Sequence, residues 1–242
     1  MPTRPRAAAP APREAYHHGD LRAALIEASE ALLAERGLEG FSLREVARRS
    51  GVSPAAPAHH FGDTQGLLMA VATLAFDGLT AALEAGNVRG GADPVARLRE
   101  QGVGYVGFAL AHPGRFGLMF RTGIVTDEAL LHSSQAAFTK LEEGVRLLVG
   151  VPSPAPMSAA HWQVLLSVWS VVHGFAHLAQ AGRIGRFAPP GGREALLRQL
   201  LAPMLELHLR ALAPIPAASA APAVRPSGAR ARRSRAATSG SR

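Results

Sequence analysis

The sequence has no cysteine, and aromatic residues make up only 5% of its 242 positions. Without cysteine there is no disulfide framework, no thiol nucleophile and no cysteine-ligated metal site, which fits a reducing cellular interior. No apolar run approaches the roughly eighteen residues of a membrane-spanning helix, and the first residues lack the apolar stretch of a signal peptide. We therefore expect a cytoplasmic protein that does not use a membrane as a partner.

The formal net charge of +8 comes from the two ends of the chain. Residues 1–19 hold three Arg and one Glu, and residues 213–242 hold six Arg and no acidic residue. Both ends are rich in Ala, Pro, Ser and Gly, so we predict a disordered basic arm over residues 1–15 and a disordered Arg-rich tail over residues 213–242. The tail can attract phosphates, or it can be a solvated segment without a dedicated role.

The remainder has the composition of a globular protein, since 48% of the chain is hydrophobic and 18% is charged. Apolar residues recur at helical spacing throughout residues 20–212, which predicts an all-α fold of about nine helices. Glycine and proline predict the breaks, including a loop over residues 86–94. The predicted helices include residues 20–36, 64–84, 127–149 and 193–212.

Two short helices joined by a glycine turn are predicted within residues 41–61, FSLREVARRSGVSPAAPAHHF. Ser42 and Glu45 have the spacing of a capping box, in which each side chain bonds the other residue's backbone amide. Gly51 ends the first helix, because glycine takes the left-handed conformation without a Cβ clash. The second helix follows with Ser53 as its cap and Pro54 at its first position.

Such a pair of helices presents the second one to the major groove of DNA. Helical hairpins inside ordinary bundles carry the same caps, so the caps alone leave DNA binding and simple packing both open.

The second helix lacks Arg, Lys, Asn and Gln, the side chains that make bidentate contacts with base edges. Pro57 should also remove an internal hydrogen bond near its start. Base contacts then depend on hydroxyl and imidazole groups and on apolar contacts with thymine methyls, and specificity depends on DNA shape. The residues predicted to face the bases are Ser53, Pro54, Ala55, Ala56, His59 and His60.

Phosphate contacts are predicted for Arg44, Arg48 and Arg49 of the first helix, with Ser42 and Thr64 as neutral donors. Arg44 is favoured because it lies near the start of that helix. Residues 20–66 contain five Arg and seven acidic residues, so this region has no large basic field. The same arginines can instead pair with neighbouring glutamates.

Two patterns that suggest enzymes are incomplete. Gly102, Gly104 and Gly107 have the glycine spacing of a dinucleotide-binding fingerprint, but no strand precedes them. Glycines at these positions more readily allow two helices to pack closely. His173 and His177 have a spacing that can hold zinc, but no glutamate of a metalloprotease motif lies between them. We therefore predict no catalytic residue, metal or cofactor.

Residues 20–76 resemble the N-terminal domain of the TetR family of transcriptional regulators, because LIEASEALLAERG, FSLREVARRSGVS, HHF and LL follow the family's order and spacing. WSVVHG at residues 169–174 and HPGRFGLMF at residues 112–120 resemble the Trp-His-Gly class of C-terminal domain in that family. Ala58 and Thr64 depart from the pattern, since family members usually carry Tyr and Lys at these phosphate-contacting positions.

The resemblance implies a helix-turn-helix domain over residues 16–76, with the motif at 42–61, and a ligand-binding and dimerisation domain over residues 77–212. It also implies a homodimer in which the last two helices of each subunit form a four-helix interface. Twofold symmetry would place two reading helices roughly 34 to 36 Å apart. The predicted interface residues are Leu165, Val172, Leu197, Leu201, Met204 and Leu205.

A further implication is a cavity for a small effector among the C-terminal helices. Aromatic and apolar side chains with a few polar tips are typical of such sites, although each is also an ordinary core residue. His17 lies where family members present an arm to the phosphate backbone. The candidate cavity residues are Phe108, Phe116, Met119, Phe120, Trp169, His173, Phe175 and His177.

These features predict a homodimeric DNA-binding regulator, a repressor that a small effector releases from its operator. The alternative is a helical ligand-binding or interaction protein with weakened DNA affinity. The missing base-reading side chains, together with Ala58 and Thr64, keep that alternative open.

Overall fold

The structure, a computed structural model, describes residues 18–121 and 127–213. These residues form helices and no strand, which confirms the all-α prediction for them. The predicted basic arm, His17 and residues 214–242 of the predicted tail lie outside the described residues. The first eight helices are α1 His18–Arg36, α2 Leu43–Arg49, α3 Ala56–Phe61, α4 Thr64–Gly90, α5 Pro94–Ala111, α6 Pro113–Met119, α7 Glu128–Val149 and α8 Ala159–Gln180.

The last helix, α9, is built from three consecutive segments. It opens with an α-helical turn Gly192–Ala195, continues through a π-helical stretch Leu196–Leu201 and ends with an α-helical part Ala202–Leu212. A short 3-10 turn Gly185–Phe187 precedes it. The prediction of a final helix over residues 193–212 is therefore confirmed, while its π-helical part had no signal in the sequence pattern.

Aspartate side chains fix the starts of three long helices. Asp63 accepts a hydrogen bond from the Gly66 amide, Asp93 from the Ala96 amide and Asp127 from the Leu130 amide, each at 2.8 Å. Each bond satisfies one of the amides that a helix start leaves unpaired. The predicted starts of α4 and α7, residues 64 and 127, agree with these caps to within one residue.

The predicted end of α4 was wrong. The helix continues to Gly90, through most of the loop predicted over residues 86–94. Its glycines serve close packing: a Cβ on Gly86 would lie 2.5 Å from the Glu100 carbonyl oxygen on α5. Gly104 of α5 is equally close to α4, which confirms the expectation that this glycine lets helices approach. By length and composition alone α4 is long and apolar enough to cross a membrane. The core helices of globular proteins pass the same test.

Two hydrophobic clusters divide the described residues. The first cluster joins α1, α2 and the start of α4, and it includes Leu118 of α6 and Leu130 of α7. The second cluster lies among the rest of α4 and α5–α9. Phe76 of α4 packs against both clusters, and α6 contributes Phe116 to the second. We call the helices of the first cluster, α1–α3 with the start of α4, the head, and the remainder the body.

Candidate nucleic-acid interface and ligand cavity

The turn between α2 and α3 has the predicted backbone shape. Ser42 is extended, and its Oγ accepts a hydrogen bond from the Glu45 amide at 3.3 Å. Gly51 has a φ of 67°, in the left-handed region that glycine tolerates. The Val52 amide donates to the Ala47 carbonyl at 3.0 Å and closes the turn. The turn fixes the direction in which the chain enters α3.

The predicted capping box is only half formed. Among the described residues Glu45 makes no bond back to the Ser42 amide, because its carboxylate binds arginines. It accepts bonds from Arg48 Nε and Nη2 at 2.8 and 2.7 Å, and from Arg49 Nε at 3.1 Å. Charge-assisted bonds of this kind are stronger than a bond to a neutral amide. The hydrogen bonds from Arg48 and then Arg49 lower the pKa of Glu45 to about 2.

The three arginines of α2 differ in what holds them. Arg49 also binds Glu35 through Nη1 and Nη2, at 2.9 and 2.6 Å, and its side chain is only 18% exposed. The side chain of Arg48 is 69% exposed but remains paired with Glu45. Arg44 is exposed and forms no ion pair with any residue in the described part of the chain. Its charge is therefore the most available to a phosphate.

The helix α3 begins two residues later than predicted. The Ala56 amide donates to the Ser53 carbonyl at 3.0 Å, so a turn precedes the helix and the Ser53 side chain does not cap it. Pro57 therefore lies in the first helical turn, where an amide would have no intrahelical partner. The expectation that Pro57 removes an internal hydrogen bond was wrong, and the residue is instead buried against the head.

The outer face of α3 and of the turn before it is small and largely apolar. Ala56 is half-buried, and half-buried His60 contacts the rings of His59 and Phe61. Thr64 is half-buried at the start of α4. The structure thus brings the residues predicted to face the bases to one corner of the molecule. The exposed residues of this face are Ser53, Pro54, Ala55, Ala58 and His59.

A cavity of about 330 Å³ lies in the body, between α4, α5, α7 and α8, with the end of α6 at its wall. Of the eight candidate residues, Phe120 and Trp169 line it. Gln101, Phe76 and Phe138 line it as well and were not singled out in the sequence. The sequence signal for Gln101 was a glutamine on an otherwise apolar face of α5. The candidates that do not line this cavity are Phe108, Phe116, Met119, His173, Phe175 and His177.

The histidines predicted for the cavity form a separate polar chain beside it. The Tyr105 hydroxyl lies 2.8 Å from His173 Nδ1, and His173 Nε2 lies 3.1 Å from His177 Nε2. Burial, followed by the nearby His177, lowers the pKa of His173, and burial raises the pKa of Tyr105. The ring of Phe116, which is fully buried, packs against His173 and His177 at centroid distances of 5.6 Å. These groups hold α5, α6 and α8 together.

No group of three or more metal-ligating side chains occurs within residues 18–121 and 127–213. His173 Nε2 and His177 Nε2 lie 3.1 Å apart, and the described residues bring no third metal-ligating side chain to them.

The predicted dimer residues are mostly buried within one chain. Leu165, Val172, Leu197, Leu201 and Leu205 are at most 6% exposed, and Val172 lines the cavity. They cannot present a surface to a partner, because they already pack in the core of the body. Met204 is 37% exposed.

A different set of residues on the same two helices is exposed. Leu166, Leu178 and Leu207 are 54, 50 and 75% exposed, and together with Met204 they form what we call the α8–α9 face. Gly174 lies between Leu166 and Leu178 on α8, with no atom within 4 Å of the position that a Cβ would take. The Ser167 hydroxyl and His208 Nε2 lie 3.1 Å apart and join α8 to α9.

This helical fold with an exposed α2–α3 corner is that of a helix-turn-helix transcriptional regulator. Residues 25–71 match the bacterial regulatory proteins of the tetR family, and residues 98–204 match the tetracyclin repressor-like C-terminal domain. The chain belongs to the TetR family of DNA-binding transcriptional regulators, and its fold and family are those of transcriptional regulators.

Similar solved structures include a protein of unknown function from Rhodococcus sp. RHA1, with a TM-score of 0.67 and 32% identity over 83% of this chain and 100% of that chain. PfmR, a TetR family transcriptional regulator from Thermus thermophilus, shares the fold with a TM-score of 0.55 and 20% identity, over 78% of this chain and 93% of that chain.

Among curated proteins, the HTH-type transcriptional regulator BetI of Burkholderia ambifaria is 40% identical over 78 residues. The matched part is 32% of this chain and 40% of that protein. The chain therefore spans about 40% of the length of the curated relatives that it matches.

Proposed function

We propose that the protein is a homodimeric repressor that binds a roughly palindromic operator and leaves it when a small molecule fills the cavity. The observation that carries the proposal is the exposed face of α3 beside Arg44, which has no ion pair within the described residues. In this arrangement Ser53 and His59 donate to base edges or phosphates, and Pro54 and Ala55 contact thymine methyls. Few polar side chains are available to contact base edges, so sequence-dependent DNA shape supplies much of the specificity.

The α8–α9 face supports the homodimer. Exposed leucines at one helical face are costly in water, and a second copy would bury them. The open space at Gly174 lets a partner helix approach α8 closely. A twofold axis through this face gives two copies of α3, which doubles the phosphate contacts of a head that has few of its own.

The cavity supports regulation by a small effector. Phe120 at the end of α6 lines the cavity, and Leu118 on the same helix packs in the head. A molecule that favours one position of α6 therefore favours one orientation of the head. Release follows when the favoured spacing of the two α3 helices no longer matches the operator half-sites. We place this activity in the cytoplasm, where bacterial DNA is accessible.

A gel-shift titration on the DNA upstream of the protein's own gene tests the proposal. We expect a shift that competitor DNA of unrelated sequence does not remove and that weakens steeply with salt. The control is a Gly51→Val variant, because a β-branched residue is strained at a positive φ and misdirects α3. No shift at low salt with a folded wild-type dimer would refute the proposal.

A second function is favoured by one observation, the neutralisation of Arg48 and Arg49 by Glu45 and Glu35. A head with so few available cations suits a helical ligand-binding or interaction protein with weakened DNA affinity. The same titration separates the two, since this alternative gives only a weak shift that unrelated DNA removes.

A further inference from the structure

We infer that the cavity binds an uncharged, largely apolar molecule whose hydroxyl or N–H group donates a hydrogen bond to the side-chain oxygen of Gln101. The inference rests on the proposed function, since it gives the effector a chemical class. The first ground is charge: none of the described residues that line the cavity is Asp, Glu, Lys, Arg or His. A charged ligand would lose its hydration there without gaining a counter-charge.

The second ground is the shape of the cavity. On α4 it is lined by Phe76, Leu79 and Leu83. The helix rises roughly 10 Å from Phe76 to Leu83, so the cavity extends along α4 over that length. Its volume of about 330 Å³ lies at the lower end of the range for small-ligand sites. Phe76, Phe120 and Trp169 form an aromatic end, with neighbouring ring centroids 6.4 Å apart.

The third ground is the fixed orientation of the Gln101 amide. The Glu84 carboxylate can only accept, so Asn87 turns its Nδ2 toward Glu84, at 3.3 Å, and its Oδ1 toward Gln101. Gln101 Nε2 donates to Asn87 Oδ1 at 3.0 Å and to the Lys140 carbonyl at 2.9 Å. A carbonyl, like a carboxylate, can only accept. The amide cannot flip without losing both bonds. Its oxygen has no hydrogen-bond partner among the described residues.

The two hydroxyl groups at the wall already make hydrogen bonds. The Ser134 hydroxyl donates to the Leu131 carbonyl at 3.0 Å, and the Tyr105 hydroxyl is paired with His173. Gln135 lies on an exposed part of α7, near the Thr139 hydroxyl. Gln101 is only 2% exposed, but its unpaired oxygen is not among the fully buried atoms of the described residues, so it keeps a small accessible surface. A ligand donor satisfies this acceptor, and a ligand without one leaves it unpaired.

Three probe compounds of one shape test the class: 4-hexylphenol, 4-hexylanisole and 4-hexylbenzoate at pH 8, titrated into the full-length wild-type protein by calorimetry. We expect the phenol to bind most tightly, the anisole roughly three- to tenfold more weakly because it lacks the donor, and the benzoate at least about tenfold more weakly because it is charged. Equal affinities of phenol and anisole would overturn the donor assignment. Preferential binding of the benzoate, or no binding of any probe, would overturn the class.

Two glutamine variants locate the acceptor. Gln101→Leu should remove the preference for the phenol over the anisole, and Gln135→Leu, the matched change on the exposed part of the wall, should keep it. A folded Gln101→Leu protein that keeps the preference would contradict the role of Gln101. Gln101→Leu also loses the bonds to Asn87 and Lys140, so if it does not fold, the three-compound comparison on wild-type protein still decides the class.

A gel shift run on the same protein separates this inference from the proposed function. Specific DNA binding together with no selectivity among the probes refutes the ligand class and leaves the DNA-binding function standing. Selective binding of the phenol without any specific DNA shift supports the ligand class and refutes the repressor.

Discussion

The head and the body use their polar side chains in opposite ways. In the head, Glu45 and Glu35 hold Arg48 and Arg49 at the surface, which leaves Arg44 and a small apolar face of α3 for DNA. In the body, Gln101 and Asn87 are buried, and each has one fixed orientation. The head is thus suited to recognition by position and shape, whereas the body is suited to chemical selection of a ligand.

The largest effect is expected from Leu207→Glu on the α8–α9 face. A charge at a position that is 75% exposed in one chain should leave the fold intact but prevent burial against a second copy. Loss of the dimer halves the phosphate contacts of each complex, so operator affinity should fall by at least about a hundredfold. Sedimentation analysis and a gel shift measure the two consequences together.

The control for that variant is Leu131→Glu on α7, where an equally apolar residue is 55% exposed outside the α8–α9 face. This variant should remain a dimer and bind DNA as the wild type does. A dimeric Leu207→Glu protein with unchanged operator affinity would show that the interface lies elsewhere.

Arg115 of α6 and Glu30 of α1 form an ion pair between body and head, and their side chains are 22 and 19% exposed. Gly114 lets α6 lie against the backbone of α1 beside this pair. We expect Arg115→Gln and Glu30→Gln each to lower the free energy of unfolding, with a coupling of about 1 to 3 kcal/mol between them. Urea unfolding of the two single variants and the double variant measures it. Additive effects would mean that the pair does not join head to body.

A smaller effect separates two arginines of one helix. Arg44→Ala should weaken operator binding and reduce the salt dependence by roughly two released counterions per dimer, with little change in stability. Arg49→Ala should lower the melting temperature instead, because it removes the bonds to Glu35 and Glu45. Gel shifts across salt concentrations and thermal melts compare the two variants. The contrast fails if Arg49→Ala alone changes the salt dependence.

The sequence predicted local features better than it predicted which helix faces would be buried. Helical spacing identified most helices, and Gly51 identified the turn of the head. Gly86 and Gly90 suggested a loop, because glycine in sequence does not distinguish a flexible segment from a site where two backbones touch.

The cavity and the dimer face were harder to predict, for a different reason. Leu205 and Leu207 are equally apolar in sequence, but Leu205 is 1% and Leu207 is 75% exposed. The difference arises because Leu205 faces the core of the body and Leu207 lies on the exposed side of α9. Gln101 gave little signal, because its role depends on Asn87 and Lys140, which lie far from it along the chain. Features that depend on several distant elements cannot be read from the periodicity of one helix.

The smallest effect is expected on stability in acid. As the pH falls, the body should lose stability at a higher pH than the head does. His173 has a lowered pKa in the folded body, so the unfolded chain takes up its proton first, and the stability of the body should decline as the pH falls below about 6.5. Glu45 has a folded pKa of about 2, so its contribution to the head is complete above about 4.5 and is lost only as the pH falls from there toward 2.

Hydrogen exchange measured between pH 7 and pH 4 resolves this difference by segment. We expect α8 to lose protection before α2 does, and His173→Gln to reduce the early loss, because glutamine carries no titratable proton. The tryptophans Trp162 and Trp169 both lie in α8, so their fluorescence gives a second record of the body alone. Earlier loss of protection in α2 would show that the ion pairs of the head, rather than the enclosed imidazoles of the body, limit stability in acid.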